Sequence, residues 1–285
     1  MIVITGATGQ LGQLVIEHLL KRVPASEIAA AVRNPDKAGA LAARGIAIRE
    51  ADYDRPKTLA KSFAPGDKLL LISSSEVGRR VPQHQAVIAA ARQAGVALLA
   101  YTSLLHADTS PLPLAAEHKA TEAALQASGL PVAILRNGWY SENYLAGIAA
   151  VLAHGAVLGS AGNGRIASAA RTDYAEAAAA VLTADNQAGR IYELAGDTAY
   201  TLSELAGEIA AQTDRTIIYR DLPAADYQAV LLGAGLPDAV ATLLAESDTG
   251  AAQGGLFDDS HQLSQLIGRP TTPLAESVRA ALRQA

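Results

Sequence analysis

Apolar and polar positions alternate along this chain in two rhythms. Short apolar runs stand at 2–4, 28–32, 46–49, 68–72, 96–100 and 132–135. Runs of that length, rich in Val, Ile, Leu and Ala, read as strands buried on both faces of a parallel sheet. Between them lie stretches with apolar residues three and four apart. Leu11, Leu14, Val15 and Leu19 form the first, and segments over 36–44, 57–63, 81–94 and 114–128 follow. That is the period of helices with one buried face. Gly45, Gly95 and Gly129 each close one of these segments, where a helix is stopped by a left-handed residue. Strand and helix in regular alternation predict an α/β fold, a doubly wound parallel sheet of the Rossmann kind.

Beyond residue 140 the texture changes. Helical patterns cover 145–153, 175–183, 202–212, 223–244 and 272–282, the third capped by Thr201 or Ser203. Short strands are expected at 166–168, 190–194 and 216–219, and glycines at 155, 159, 162 and 164 mark a loop. The expected division is a dinucleotide-binding domain over 1–140, to which the chain returns within 165–200, and a smaller α/β substrate lobe over 141–285.

The first strand runs into Thr5-Gly6-Ala7-Thr8-Gly9-Gln10-Leu11-Gly12. Strand, glycine turn, helix is the order in which a pyrophosphate is bound at a helix N-terminus. Gly6 supplies the tight turn, Gly9 lets a phosphate approach the backbone, and Gly12 lets the helix lie close to the sheet. Gly6, Thr8, Gly9, Gln10 and Leu11 are the expected phosphate contacts. The second strand ends in Arg33-Asn34-Pro35. At this offset an acid selects the ribose 2′-hydroxyl of NAD, whereas a guanidinium binds a 2′-phosphate. Arg33 therefore predicts NADPH as the cofactor. Ser73, Ser74 and Ser75 follow the fourth strand, at the carboxyl edge where open sheets bind ligands. Three small hydroxyls can line a ribose or pyrophosphate without crowding it.

Composition narrows the rest. There is no cysteine, so disulfides, thiol nucleophiles and Cys zinc sites are out, and the scattered histidines suggest no metal site. A net charge of −5 with acids and bases intermingled argues against nucleic acid as partner. No apolar run is long enough for a membrane span, and no signal-peptide pattern precedes the first strand, so the cytoplasm is expected. A homodimer stays open.

The glycine turn, Val32-Arg33-Asn34-Pro35 and Leu135-Arg136-Asn137-Gly138-Trp139-Tyr140-Ser141-Glu142-Asn143 together resemble the NmrA-like branch of the atypical short-chain dehydrogenase/reductases. Within it the likeness is to bacterial NAD(P)H:quinone oxidoreductases, with triphenylmethane reductase also similar. The resemblance runs the full length. It implies hydride transfer from nicotinamide C4 to a quinone. Ordinary members of the superfamily use a Tyr-xxx-Lys relay, and none follows the fifth strand here; His118-xxx-Glu122 occupies that helix. Quinone reduction needs no such relay, because the hydroquinone anion is stabilised by conjugation and takes its proton from water. The task left to the protein is to hold donor and acceptor stacked.

On that view Tyr101, Asn137, Trp139, Tyr140 and Asn143 wall the nicotinamide and quinone, and Glu142 counts with the cofactor residues. Tyr101, His118 and Asn143 are the catalytic candidates, His118 as a proton donor or simply a packed histidine. Arg171 either reaches a cofactor phosphate or pairs with an acid of the other lobe. Two other functions stay open: a non-catalytic NADP(H)-binding redox sensor of the NmrA type, and a reductase of another conjugated electrophile such as a triphenylmethane dye.

Overall fold

A computed structural model describes all 285 residues. Its strands are β1 (Ile2–Thr5), β2 (Ile28–Val32), β3 (Ala47–Glu50), β4 (Lys68–Leu71), β5 (Leu98–Leu104), β6 (Val132–Asn137), β7 (Ala156–Gly159), β8 (Ile191–Leu194) and β9 (Ile218–Asp221). Seven of them make one sheet in the order β3-β2-β1-β4-β5-β6-β8, and β7 pairs with β9 apart from it. The first six pair in parallel. β1 lies between β2 and β4, so the strand order reverses beside its carboxyl end. That is the place where doubly wound sheets bind ligands.

By contact density the chain forms two units. The first comprises Met1–Ala107, Ala116–Asn137 and Thr172–Tyr192; the second comprises Asp108–Ala115, Gly138–Arg171 and Glu193–Ala285. Nothing in the sequence pattern sets Asp108–Ala115 apart. The core of the first unit is built from Val3, Leu69, Leu71, Val87, Ala91, Leu99 and Leu125. Every residue of β1, β2 and β5 is buried, which explains why these strands lack a polar alternation. The second unit holds the β7–β9 pair and the Leu202–Thr213 helix, where Thr201 and Glu204 form a reciprocal capping box.

Several expected boundaries shift for physical reasons. The expected helix over 36–44 is a 3₁₀ turn (Pro35–Ala38) followed by one α-turn (Gly39–Ala42). Asn34 accepts from the Asp36 N–H, which starts the segment as a tight turn, and Gly39 is a poor residue on which to continue a helix. The segment 57–63 is helical only over Pro56–Leu59. At 166–168 there is a single bridge, Ile166 to Tyr200, rather than a strand. β5 starts two residues later than expected and runs through Tyr101, Thr102 and Ser103 to Leu104.

Candidate cofactor-binding site

β1 ends at Thr5, whose hydroxyl has no capacity left over. It donates to Leu70 O (3.1 Å) and accepts from the Ile72 N–H (3.0 Å) and the Tyr53 hydroxyl (2.6 Å). One proton and two lone pairs are thereby used. The strand end, the exit of β4 and the loop after β3 are tied to one atom. Tyr53 is half-buried, its phenol pushed up by burial, and it ties the loop after β3 to Thr5 as a strut while lining the same cavity as the glycine turn.

The chain then turns at Gly6, with φ +59°. The Gly9 N–H closes the turn on Gly6 O at 2.9 Å, and helix α1 (Gln10–Leu19) begins. No side chain caps α1, and its first turn carries no acid. Its positive end and free amide donors are therefore left for an anionic ligand. A Cβ on Gly12 would lie 2.4 Å from Gly6 O and 2.7 Å from Ala7 Cα. Gly12 thus lets the helix fold closely against the turn that leads out of β1.

Around this turn opens a cavity of about 380 Å³, lined by Gly6, residues 8–12, Arg33, Asp52, Asp54 and residues 72–76 among others. Gly6, Thr8, Gly9, Gln10, Leu11, Arg33, Ser73, Ser74 and Ser75, all expected from the sequence, meet on its wall. All belong to the first unit. Arg33 is mostly exposed and pairs with Glu76 at 3.0 Å. An uncapped helix end, a glycine cradle that a side chain would fill, and a guanidinium on the rim fit a phosphorylated dinucleotide.

The serine loop is held by a buried network that sequence reading missed. The Ser73 N–H donates to Thr102 Oγ1 (2.9 Å) and the Ser74 N–H to His84 Nε2 (2.9 Å), while Arg80 Nε donates to Ser74 O (2.5 Å). Because His84 Nε2 accepts, its proton sits on Nδ1, which faces Thr121 Oγ1 at 3.0 Å. His118 Nδ1 lies 2.8 Å from the Tyr101 hydroxyl, and its Nε2 lies 3.4 Å from Arg80 Nη1. Burial, with the Arg80 charge alongside, lowers His84 to about 4 and His118 to about 3. Both imidazoles are neutral at physiological pH.

Two catalytic candidates change character here. Tyr101 is fully buried in the core with its phenol pushed up by burial, so it is no open wall of a nicotinamide site. His118 is sealed and neutral and holds no imidazolium proton to give. The reason is geometric. Tyr101 and Ser103 are two apart on β5, and His118 and Glu122 are four apart on the Ala115–Ala127 helix. Those spacings advance about 6.7 and 6.0 Å, so the two pairs face each other. Ser103 Oγ donates to Glu122 Oε1 (2.5 Å), and Arg136 donates to the same carboxylate through Nε (3.0 Å) and Nη2 (2.8 Å).

Asn137 ends β6 and is buried, and its Oδ1 has no hydrogen-bond partner. A buried carbonyl at the carboxyl edge of a parallel sheet is an acceptor waiting for a donor. In the second unit, Trp139 is buried with its ring 6.4 Å from that of Tyr144. Arg171 lays its guanidinium over the Tyr140 ring at 4.7 Å. Glu142 accepts the Arg171 N–H at 2.9 Å, so its carboxylate caps a helix start. Asn143 is half-buried on the Ser141–Leu145 helix. Asp248, not singled out by sequence, is buried and accepts from the Tyr144 hydroxyl and the Ser160 N–H, both at 2.9 Å; burial raises it to about 6.

Residues 6–185 match a family model described as NAD(P)H-binding. The chain is 60% identical to quinone oxidoreductase 2 of Escherichia coli over 98% of its length and 97% of that protein's. The crystal structure of the Escherichia coli NADPH-dependent quinone oxidoreductase complexed with NADPH superposes with a TM-score of 0.97 at 59% identity, covering 99% of this chain and 100% of that one. The Citrobacter sp. triphenylmethane reductase complexed with NADP(H) gives a TM-score of 0.95 at 39% identity, covering 99% and 100%. No helix is long and apolar enough to cross a membrane.

Proposed function

Because this chain belongs to the NAD(P)H-binding family, we propose that it is an NADPH-dependent quinone oxidoreductase. The observation that carries this reading is its near-full-length identity with a quinone oxidoreductase, joined to a cavity that suits the phosphates of the cofactor. Bound NADPH supplies a hydride, which with one proton converts a quinone to its hydroquinone.

The chain's own residues have four tasks. The amides of the Gly6–Gly9 turn and the start of α1 receive the pyrophosphate. Arg33 receives the 2′-phosphate. The serine loop, fixed by Thr102, His84 and Arg80, lines the cavity as a preformed wall. Asn137, whose buried Oδ1 has no partner at the carboxyl end of β6, would be the candidate acceptor for the carboxamide. No side chain is assigned a proton-relay role, and the proton comes from water. Substrate selection is assigned to the second unit, with Trp139, Tyr140 and Asn143 as its candidates. The setting is the cytoplasm, in keeping with a chain that has no cysteine to oxidise.

The test is NADPH and NADH oxidation followed with 1,4-benzoquinone and with a triphenylmethane dye. Quinone turnover favouring NADPH is expected. Arg33→Asp should then lower NADPH preference by about one to two orders of magnitude, the worth of a charge-assisted hydrogen bond. Tight NADPH binding without turnover of any quinone would overturn the enzyme reading and leave a sensor. Turnover of the dye alone would leave a different reductase.

A further inference from the structure

Arg33 is engaged without any ligand. It follows β2, Glu76 lies in the loop after β4, and both strands flank β1. Their 3.0 Å ion pair therefore spans the carboxyl end of β1, over the glycine turn. Glu76 is no loose surface acid. Its Oε1 takes Arg33, while its Oε2 accepts from Arg79 (3.0 Å) and Gln83 (3.1 Å). Its N–H donates to Ser74 Oγ at 3.1 Å. The carboxylate is thus fixed on the cavity wall from its far side and meets the guanidinium from its near side.

We infer that Glu76 is a specificity-determining residue that weakens selection for the 2′-phosphate. This rests on the NADPH reading above. A dinucleotide with a 2′-phosphate must share the Arg33 guanidinium with an anchored carboxylate; one with a 2′-hydroxyl brings no charge to that point. The repulsion therefore falls on NADPH alone. An anion on the free edge of the same guanidinium sits roughly two hydrogen-bond lengths, about 6 Å, from Glu76. In a water-like dielectric that separation costs a singly to doubly charged phosphate about three- to tenfold in affinity. The opposing effect, that Glu76 preorients Arg33, needs only an acceptor and not a charge. Glu76→Gln keeps the acceptor and removes the charge, which separates the two.

The experiment titrates NADPH and NADH into the full-length wild-type chain and Glu76→Gln, following nicotinamide fluorescence at low salt and near 1 M salt. The expected result is an NADH-to-NADPH ratio of Kd that rises about three- to tenfold in the variant at low salt. The gain should shrink near 1 M, where charges are screened within about 3 Å. A ratio that stays put or falls overturns the inference. The two readings fail differently: wild-type protein that binds neither dinucleotide overturns the NADPH assignment itself. Wild-type protein that binds NADPH, with a ratio unmoved by the variant, overturns only the role of Glu76.

Discussion

Gly12→Ala sets two effects of opposite sign against each other, which makes it a sharp test of the cofactor turn. Alanine is a better helix residue than glycine by about 1 kcal/mol, so an unobstructed change inside α1 would stabilise the protein. At Gly12 the new Cβ would stand 2.4 Å from Gly6 O and 2.7 Å from Ala7 Cα. Both are backbone atoms, so no side chain can swing away. Relief requires the turn and the helix to part by about 0.6–1 Å, and overpacking of that kind costs about 1–3 kcal/mol. The net expectation is a loss of about 0–2 kcal/mol. Binding should suffer more, because the displaced atoms include the acceptor of the Gly9 N–H bond that closes the turn. A shift near 1 Å in a positioning element costs on the order of 10²-fold, so NADPH Kd should rise about 10- to 100-fold. Gly207 provides the control: it lies inside the Leu202–Thr213 helix, and a Cβ added there would meet nothing within 4 Å. Gly207→Ala should gain up to about 1 kcal/mol and leave binding unchanged. The assays are urea unfolding and fluorescence titration with NADPH, run on both variants. If Gly12→Ala is as stable as Gly207→Ala and binds NADPH normally, the turn does not work as described.

Two further outcomes follow from the buried polar groups. Glu122→Ala removes the carboxylate that serves both Ser103 and Arg136, and a charge taken from a buried pair costs about 3–5 kcal/mol; the urea midpoint should fall accordingly, and an unchanged midpoint would refute the network's importance. His84 and His118 titrate near 4 and 3 when folded, against an ordinary value of 6.5. Between those limits the unfolded chain binds more protons than the native one, so their contribution is complete above 6.5 and is lost as pH falls toward 4 and 3. Stability measured from pH 7 to 4 should decline, less steeply in His84→Gln, and an identical slope would refute the assignment.

The inner strands β1, β2 and β4 were legible from the sequence because they are buried over all or nearly all of their length and so show as apolar runs. Strand ends were not. Tyr101, Thr102, Ser103 and Arg136 look like loop residues, yet they stay in the ladder because their polar groups find partners on neighbouring helices and loops. The glycine turn and Arg33 were legible because local spacing carries their chemistry. Glu76 was not, since its meaning depends on a partner 43 residues away. The histidine network did leave a trace. Arg80, Gln83 and His84 occupy the same helical stripe as Val87, Ile88 and Ala91, and all six are buried. Polar residues on an apolar stripe mark a buried network under the loop they support. The missed Tyr101 and His118 roles have the same origin: residue type suggested chemistry, but burial decided what these groups can reach.

The division of the chain into interleaved segments bears on how the protein is made. Synthesis is vectorial, and domains tend to fold as they emerge. The first unit takes its last residues from Thr172–Tyr192, so it cannot be completed until that stretch has left the ribosome. By then Asp108–Ala115 and Gly138–Arg171, parts of the second unit, are already outside and waiting for Glu193–Ala285. A nascent chain halted at residue 140 has the glycine turn and Arg33, but not the start of β8 that completes the sheet edge. The cofactor-binding unit thus carries its glycine turn and Arg33 in its first segment yet is completed only by its last, Thr172–Tyr192.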